Sequence, residues 1–106
     1  MLLNCDLGES YGHWKMAADP IVMPYIDMAN IACGYHAGDP QVMQQTIALA
    51  KQYQVTIGAH PSYPDRQGFG RRSMTLLPNE IENLITYQLG ALAGMCQSQG
   101  CQVSYV

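Results

Sequence analysis

Short apolar runs alternate along the chain with longer stretches in which apolar residues recur at every third or fourth position. The longer stretches predict two helices, over residues 40–53 and 78–98, and a weaker helical turn follows Asp19 until Pro24 interrupts it. The short runs predict four β-strands, over residues 2–6, 28–33, 55–59 and 101–106. This rhythm predicts an α/β fold with parallel strands joined by helical crossovers, in a sheet that is either open or closed into a barrel.

The ends of the two long helices carry clear local signals. Asp39 is a suitable N-cap for the first helix, because its carboxylate can accept a backbone N–H, and Pro40 fits the first helical position. The second helix opens with Pro78 and is closed by Gly100. Leu77, before that proline, is a poor N-cap because its side chain has no acceptor.

Composition narrows the class of protein. A chain of 106 residues is long enough for one domain, which we expect to cover residues 1–106, and 48% apolar residues predict a folded chain rather than a disordered one. The net charge of -3, without a basic stripe, argues against nucleic acid as a partner. No apolar run approaches the roughly 20 residues that span a bilayer, so we expect a cytoplasmic protein without a membrane partner. The four cysteines lack metal-site spacing and are expected to be reduced.

Three ionisable residues stand where predicted strands end. Asp6 is the last residue of the first strand, and His36 and His60 follow the second and the third. Active sites of parallel α/β folds gather at the carboxyl ends of the strands, and neighbouring strands are only about 4.8 Å apart. We therefore expect these side chains to converge. One Asp and two His suit a divalent metal such as Zn, Mn or Fe, and a neutral histidine oriented by a carboxylate can alternatively serve as a general base.

Other polar residues near these strand ends have a structural and a functional interpretation. Glu9 and Asn4 are further candidates for the site. Asp39 is explained by its helix-capping position, so its structural interpretation is the stronger one. His13, beside Trp14 in a polar segment, is expected to be an ordinary surface residue.

The connection from His60 to Pro78 is longer than most loops in compact domains, and loops of that length are usually functional or mobile. Its charged residues can bind an anionic group such as a carboxylate or phosphate, or they can close a solvated loop through ion pairs with the aspartate. They are Asp65, Arg66, Arg71 and Arg72. A phosphate loop of the GxxxxGK[ST] kind is absent from the sequence, so no motif here predicts ATP binding.

Three long motifs together resemble one family. They are "NCDLGESYG", "ANIACGYHAGDP" and "GAHPSYPDRQGFGRR", and their order and spacing resemble those of the LamB/YcsF family, as does "YQLGAL" at residues 87–92. The resemblance runs across the whole chain. It implies a parallel (β/α) barrel-type fold related to glycoside hydrolase and polysaccharide deacetylase barrels.

The resemblance also implies a function. It points to one component of a 5-oxoprolinase, which works with other subunits to open the lactam ring of 5-oxo-L-proline to L-glutamate while ATP is hydrolysed. ATP would activate the amide carbonyl by phosphorylation, and water would then open the ring. Transferred to this sequence, the catalytic positions are His36, His60, Asp6, Glu9 and Asp39, the substrate-binding positions are Asn4, Asp65 and Arg71, and a divalent metal would be held by Asp6, His36 and His60.

The sequence departs from the family in length. Family members are considerably longer, and a motif resembling "KPHGALYN", which would contribute another histidine, should follow Val106. We therefore expect this chain to be the N-terminal part of a barrel that stops after its fourth strand. Its open sheet edges favour an oligomer, and we expect the isolated chain to be catalytically inactive. Two other functions stay open: a metal-dependent, deacetylase-like amide hydrolase, and an inactive fragment with a structural role.

Overall fold

The computed structural model describes residues 1–12 and 19–106. His13, predicted to lie on the surface, falls outside the described residues. The strands are β1 (Asn4–Leu7), β2 (Met28–Ala32) and β3 (Thr56–His60). The helices are α1 (Asp19–Val22), which continues as a 3-10 turn over Met23–Tyr25, α2 (Pro40–Gln52) and α3 (Pro78–Ser98). The long helices therefore form at the residues that their apolar spacing predicts, to within one residue.

The three strands form a parallel sheet in the order β1-β2-β3, as the alternation of strands and helices predicts. The register sets Asp6 opposite Asn30 and Asn30 opposite Gly58. His60 stands opposite Ala32, at the last paired position of β2 and β3. All three strands thus deliver their carboxyl ends to one edge of the sheet.

The two faces of the sheet differ in character because side chains alternate along each strand. One face is apolar and packs against α2 and α3; its strand residues are Leu7, Ala29, Ile31, Ile57 and Ala59, and its helix residues include Met43, Ile47, Leu92 and Cys96. Ile31, Ile47 and Leu92 are completely buried, and burial of such a side chain contributes about 1.5–3 kcal/mol. This layer is the core of the chain.

The opposite face is polar and open. It carries Asn4 and Asp6 from β1 and Asn30 from β2, with His60 at the carboxyl end of β3, all exposed or half-buried. Polar side chains on an open sheet face are typical of sites rather than of cores, because a core would leave them without water. The polar face therefore leads directly to the candidate site.

The prediction of a fourth strand over residues 101–106 is wrong in its extent. In the described chain only Tyr105 forms a bridge to this sheet, parallel to Gly58 of β3. The Ser104 N–H donates to the Ile57 carbonyl at 2.8 Å, and the Tyr105 carbonyl accepts from the Ala59 N–H at 2.8 Å. Cys101 cannot join the sheet because its N–H is held by the Cys96 carbonyl in the closing turn of α3, at 2.9 Å.

At the N-terminus of each long helix, a carboxylate side chain accepts a backbone N–H group. Asp39 caps α2, since its carboxylate accepts the Val42 N–H at 2.8 Å. Leu77 contributes no side-chain cap to α3, as predicted, but the Glu80 carboxylate reaches back to accept the Leu77 N–H at 2.8 Å. This carboxylate also lies at the positive end of the helix dipole, which favours it there.

All four cysteines are free, as predicted, with Cys33 and Cys96 buried and Cys5 and Cys101 half-buried. Desolvation is the main cause that raises the pKa of the Cys33 and Cys96 thiols to about 11. Within the part of the chain that the structure describes, no helix combines the length and the apolar character needed to cross a bilayer.

Candidate active site

Two histidines and a glutamate meet at the carboxyl edge of the sheet. The ring centroids of His36 and His60 are 4.5 Å apart. Glu9 places Oε2 2.7 Å from His36 Nε2 and 3.9 Å from His60 Nδ1. One potential ligand atom from each of the three residues lies within 4.8 Å of the other two, which is close enough for one ion or one water molecule to contact all three.

His36 is almost completely buried, with 2% of its surface exposed. Burial lowers the pKa of His36, while the hydrogen bond to Glu9 and its negative charge partly oppose that effect. An ionised carboxylate can only accept, so the short contact places the proton of a neutral His36 on Nε2 and leaves a lone pair on Nδ1. Among the described residues, the buried Nδ1 atoms of both His36 and His60 have no hydrogen-bond partner.

Two observations thus fit a ligand between the histidines. Buried polar atoms in proteins are nearly always paired, so two orphan imidazole nitrogens in one cluster indicate a binding position. The donor set of one carboxylate and two imidazoles suits a divalent cation of the Zn, Mn or Fe type. The residues present therefore fit such a cation, with Glu9 as the carboxylate.

Asp6 lies beside this cluster rather than within it. Its Oδ1 atom is 3.7 Å from His60 Nδ1, and its side chain is half exposed. The metal set expected from the sequence, Asp6 with His36 and His60, stays a prediction, and the geometry adds Glu9 as a carboxylate that lies near both imidazoles. The physical reason is the turn after β1, where Gly8 adopts a φ of 69° and directs Glu9 back over the sheet edge.

A row of polar side chains extends from Asp6 across the open face. The Asn30 amide donates through Nδ2 to Asp6 Oδ1 at 2.9 Å and to Asn4 Oδ1 at 3.0 Å. The Tyr105 hydroxyl donates to Asn30 Oδ1 at 2.5 Å. Asn30 and Tyr105 were not among the predicted site residues, although an asparagine inside the apolar strand "MANIA" is a signal that could have identified the first of them.

A cavity of about 370 Å³ opens beside the histidines. Its lining includes the polar side chains of His36, His60 and Arg71 and the apolar side chains of Ile81, Leu84 and Ile85 from α3. Phe69 also lines the cavity, with its ring edge-on to that of His36 at 4.9 Å between centroids. The cavity can hold a small molecule that has an anionic group for Arg71 and an apolar side for the helix.

Asp65, predicted to bind substrate, is turned into its own loop. It is 3% exposed, and its carboxylate accepts the N–H groups of Gly68 at 3.0 Å and Arg72 at 3.2 Å. Arg72 adds guanidinium bonds from Nε, at 2.8 Å, and from its terminal nitrogen. This arrangement, with the Arg72 bond as the largest cause, lowers the pKa of Asp65 to about 2. The ion-paired loop foreseen as an alternative is the one that forms.

The carboxylate of Asp39 is also engaged in hydrogen bonds to the backbone. Besides capping α2, it accepts the Gly12 N–H through its other oxygen at 2.7 Å, and these backbone bonds lower the pKa of Asp39. Its structural interpretation is therefore the one that the geometry supports. Its catalytic role stays a prediction, since both of its carboxylate oxygens already accept backbone hydrogen bonds.

Gln88 on α3 was not predicted as part of the site. It is completely buried, and it binds the backbone of Ser62 twice: Oε1 accepts the Ser62 N–H at 2.8 Å, and Nε2 donates to the Ser62 carbonyl at 2.8 Å. Gln88 thereby fixes the segment that follows His60. Its signal in the sequence is an amide on the buried stripe of α3 between Leu84 and Leu92.

The fold and the site define a parallel α/β protein with a histidine–carboxylate cluster at the carboxyl ends of its strands. The chain matches the LamB/YcsF family over residues 1–106 and belongs to that family. The family resemblance of the sequence motifs is thus confirmed.

Curated relatives share most of this chain's sequence. The 5-oxoprolinase A subunit of Chromohalobacter salexigens is 61% identical over 105 residues, which are 99% of this chain and 42% of that protein. The 5-oxoprolinase A subunit of Vibrio cholerae is 62% identical over 104 residues, covering 98% of this chain and 42% of that protein. This chain therefore spans about two fifths of the length of these relatives.

A solved structure shares the fold. The crystal structure of the lactam utilization protein from Thermus thermophilus matches with a TM-score of 0.93 at 42% identity, over 96% of this chain and 41% of that one. The prediction of a parallel, barrel-type α/β fold is confirmed.

Proposed function

We propose that this chain supplies the histidine–carboxylate site of an ATP-dependent 5-oxoprolinase, which opens the lactam ring of 5-oxo-L-proline to give L-glutamate. The observation that carries the proposal is the 61–62% identity to proteins named as the A subunit of 5-oxoprolinase, over a stretch that includes Glu9, His36 and His60. The word subunit in those names supports the presence of partner subunits, and the assembly as a whole would use ATP. Four free thiols fit a reducing compartment such as the cytoplasm.

The chemistry requires activation of a stable amide. Transfer of the ATP γ-phosphoryl group to the lactam oxygen would release ADP and make the ring carbon electrophilic. Water would add to that carbon and lose a proton, and cleavage of the C–N bond would give the protonated amine and an acyl phosphate. A second water would hydrolyse the acyl phosphate to the carboxylate of L-glutamate and free phosphate. His36 is suited to accept the proton of the attacking water, because burial keeps it neutral and Glu9 holds its Nε2 proton, which leaves Nδ1 as the base. His60, whose ring lies against that of His36, is suited to contact the same water or the ring nitrogen.

The side chains that line the cavity support a set of contacts with this substrate. Arg71 would bind the carboxylate of 5-oxoproline, since a guanidinium pairs with a carboxylate through two parallel hydrogen bonds. Ile81, Leu84 and Ile85 would contact the methylene groups of the ring. Asn4 lies on the other side of His60, along the open face, and would contribute there rather than in this cavity.

A second function, metal-dependent hydrolysis of another amide, is favoured by one observation: the Glu9, His36 and His60 cluster with its orphan nitrogens. These three residues would hold the cation, which when bound would polarise an amide carbonyl as a Lewis acid. Asp6 and Asn30 would then orient groups at the edge of the cluster.

The experiment combines the protein with its partner subunits, 5-oxo-L-proline and ATP, and measures L-glutamate and ADP. We expect glutamate formation that needs ATP, and loss of at least about 100-fold in His60→Ala, as expected for a residue engaged in proton transfer. Gln97→Ala, on the exposed side of α3, is the matched control and should keep full activity.

Three other results would contradict the proposal. Hydrolysis of an acetylated sugar without ATP would favour the deacetylase-like function. Full activity in His60→Ala would remove the histidine site from the mechanism. The absence of both turnover and ligand binding in the assembled protein would favour a purely structural role.

A further inference from the structure

Four backbone positions form one row across the sheet. Asp6 is the register partner of Asn30, Asn30 is the partner of Gly58, and Gly58 forms the bridge to Tyr105. Paired residues of parallel strands present their side chains to the same face. Asp6, Asn30 and Tyr105 therefore share the open face at one level, and the row has a gap where Gly58 has no side chain.

The Tyr105 ring fills that gap. A Cβ atom added to Gly58 would lie 2.2 Å from Tyr105 Cε2 and Cζ, so the ring lies directly over the backbone of β3. Only this close approach lets the hydroxyl cross the width of β3 and reach Asn30 Oδ1. Gly58 is required here for space, since its own φ is not in the left-handed region.

The hydrogen-bond directions in the row are fixed by Asp6. An ionised carboxylate only accepts, so Asn30 must present Nδ2 to Asp6 and therefore Oδ1 to Tyr105, which must donate. Desolvation and the charge of Asp6 raise the pKa of Tyr105, which keeps its hydroxyl protonated and able to donate. Each hydrogen bond between Asp6, Asn30 and Tyr105 thus joins a donor to an acceptor.

We propose that Gly58, Tyr105 and Asn30 form a positioning relay that aims the Asp6 carboxylate at His60. The Oδ1 atom that accepts from Asn30 is the same atom that lies 3.7 Å from His60 Nδ1. At 3.7 Å the two atoms do not hydrogen-bond, but a negative charge held this close to Nδ1 favours the tautomer that carries its proton there. The relay makes Asn30 and Tyr105 positioning residues, and its part in ring opening rests on the proposed function.

The test compares Tyr105→Phe with the control Tyr53→Phe, which removes a hydroxyl at the far end of α2. Imidazole ¹⁵N shifts of His60 report its tautomer, and steady-state kinetics in the assembled enzyme report turnover. We expect Tyr105→Phe to change the His60 tautomer ratio and to lower kcat about 10-fold, the usual lower limit for groups that orient a functional residue. KM should stay within about twofold of its original value, because the relay does not line the cavity beside α3.

Gly58→Ala provides an independent variant, because the added methyl displaces the Tyr105 ring while every polar group of the relay remains. It should reproduce the change in the His60 ¹⁵N shifts. The double variant with Tyr105→Phe should show little further change in these shifts, since both substitutions remove the hydrogen bond from Tyr105 to Asn30. Unchanged His60 shifts in both variants would overturn the relay. If the unaltered assembly shows no turnover, the proposed function fails, and the ¹⁵N spectra still decide whether the relay exists.

Discussion

His36 and His60 follow different strands, yet their ring centroids lie 4.5 Å apart at the carboxyl edge of the sheet. The parallel register of β2 and β3 brings their loops together, and Glu9 joins them from the loop after β1. Each of the three residues thus comes from a separate segment, so the cluster exists only in the folded chain. Its ligand set and the packing that supports it can be tested one residue at a time.

Glu9→Gln should weaken binding of a divalent cation by at least about 10-fold, because the amide cannot supply the negative charge that a carboxylate ligand gives. Isothermal titration with Zn²⁺ measures the change. Glu82→Gln, an exposed position on α3, removes the same charge away from the cluster and should leave affinity unaltered. Equal Zn²⁺ affinity in both variants would show that Glu9 is not a ligand.

Gln88→Leu should destabilise the fold by about 1–3 kcal/mol, because the N–H and carbonyl of Ser62 lose their partners in a partly buried setting. Urea unfolding of the variant measures the loss. Gln97→Leu, on the exposed side of the same helix, is the matched control and should change the free energy of unfolding by less than about 0.5 kcal/mol. A similar small change in Gln88→Leu would mean that Ser62 finds other partners.

Asp65 should stabilise the fold at neutral pH and stop doing so in strong acid. Arg72 lowers the pKa of Asp65 from 3.8 to about 2, so the charged form is favoured by folding. Its contribution is therefore complete above about pH 4 and is lost as the pH falls toward 2. Urea midpoints of the original protein and Asp65→Asn should differ at pH 5 and converge near pH 2. If the difference between the two urea midpoints did not vary with pH, the stabilisation by Asp65 would come from its shape and hydrogen bonds rather than from its charge.

Cys33 and Cys96 should resist alkylation in the folded protein. With a pKa of about 11, only about 0.1% of either thiol is ionised at pH 8, and both side chains are buried. Iodoacetamide followed by mass spectrometry should modify Cys101 and Cys5 first. All four cysteines should react equally in urea, and early modification of Cys33 would show that the core opens more readily than its packing indicates.

The parts of the fold that the sequence predicts are those governed by local pattern. The α2 helix starts at Pro40 because Asp39 caps it and because Pro is favoured there, and both features are visible in the sequence. The ends of β2 and β3 follow from their apolar runs, so the meeting of His36 and His60 could be foreseen from topology alone.

The remaining parts depend on contacts between distant segments. That Glu9 lies near the imidazoles, in addition to Asp6, depends on the backbone turn at Gly8, which a strand pattern does not encode. The hydrogen bond from Tyr105 to Asn30 depends on the register of β2 and β3. The last predicted strand is shortened because the backbone N–H of Cys101 donates to the backbone carbonyl of Cys96. Such contacts are set by tertiary packing and leave only faint signals in the sequence.

Arg66 ties three separate segments together. Its guanidinium donates to the carbonyl of Gly38 at 2.8 Å and to that of Gly34, on either side of His36, and it lies 3.9 Å above the Tyr11 ring. The loops that follow the three strands therefore cannot drift apart independently, since displacement of one breaks bonds to another. The aperture between the histidines is consequently expected to keep its width as the protein fluctuates, so that a ligand meets one preformed opening rather than separately moving walls.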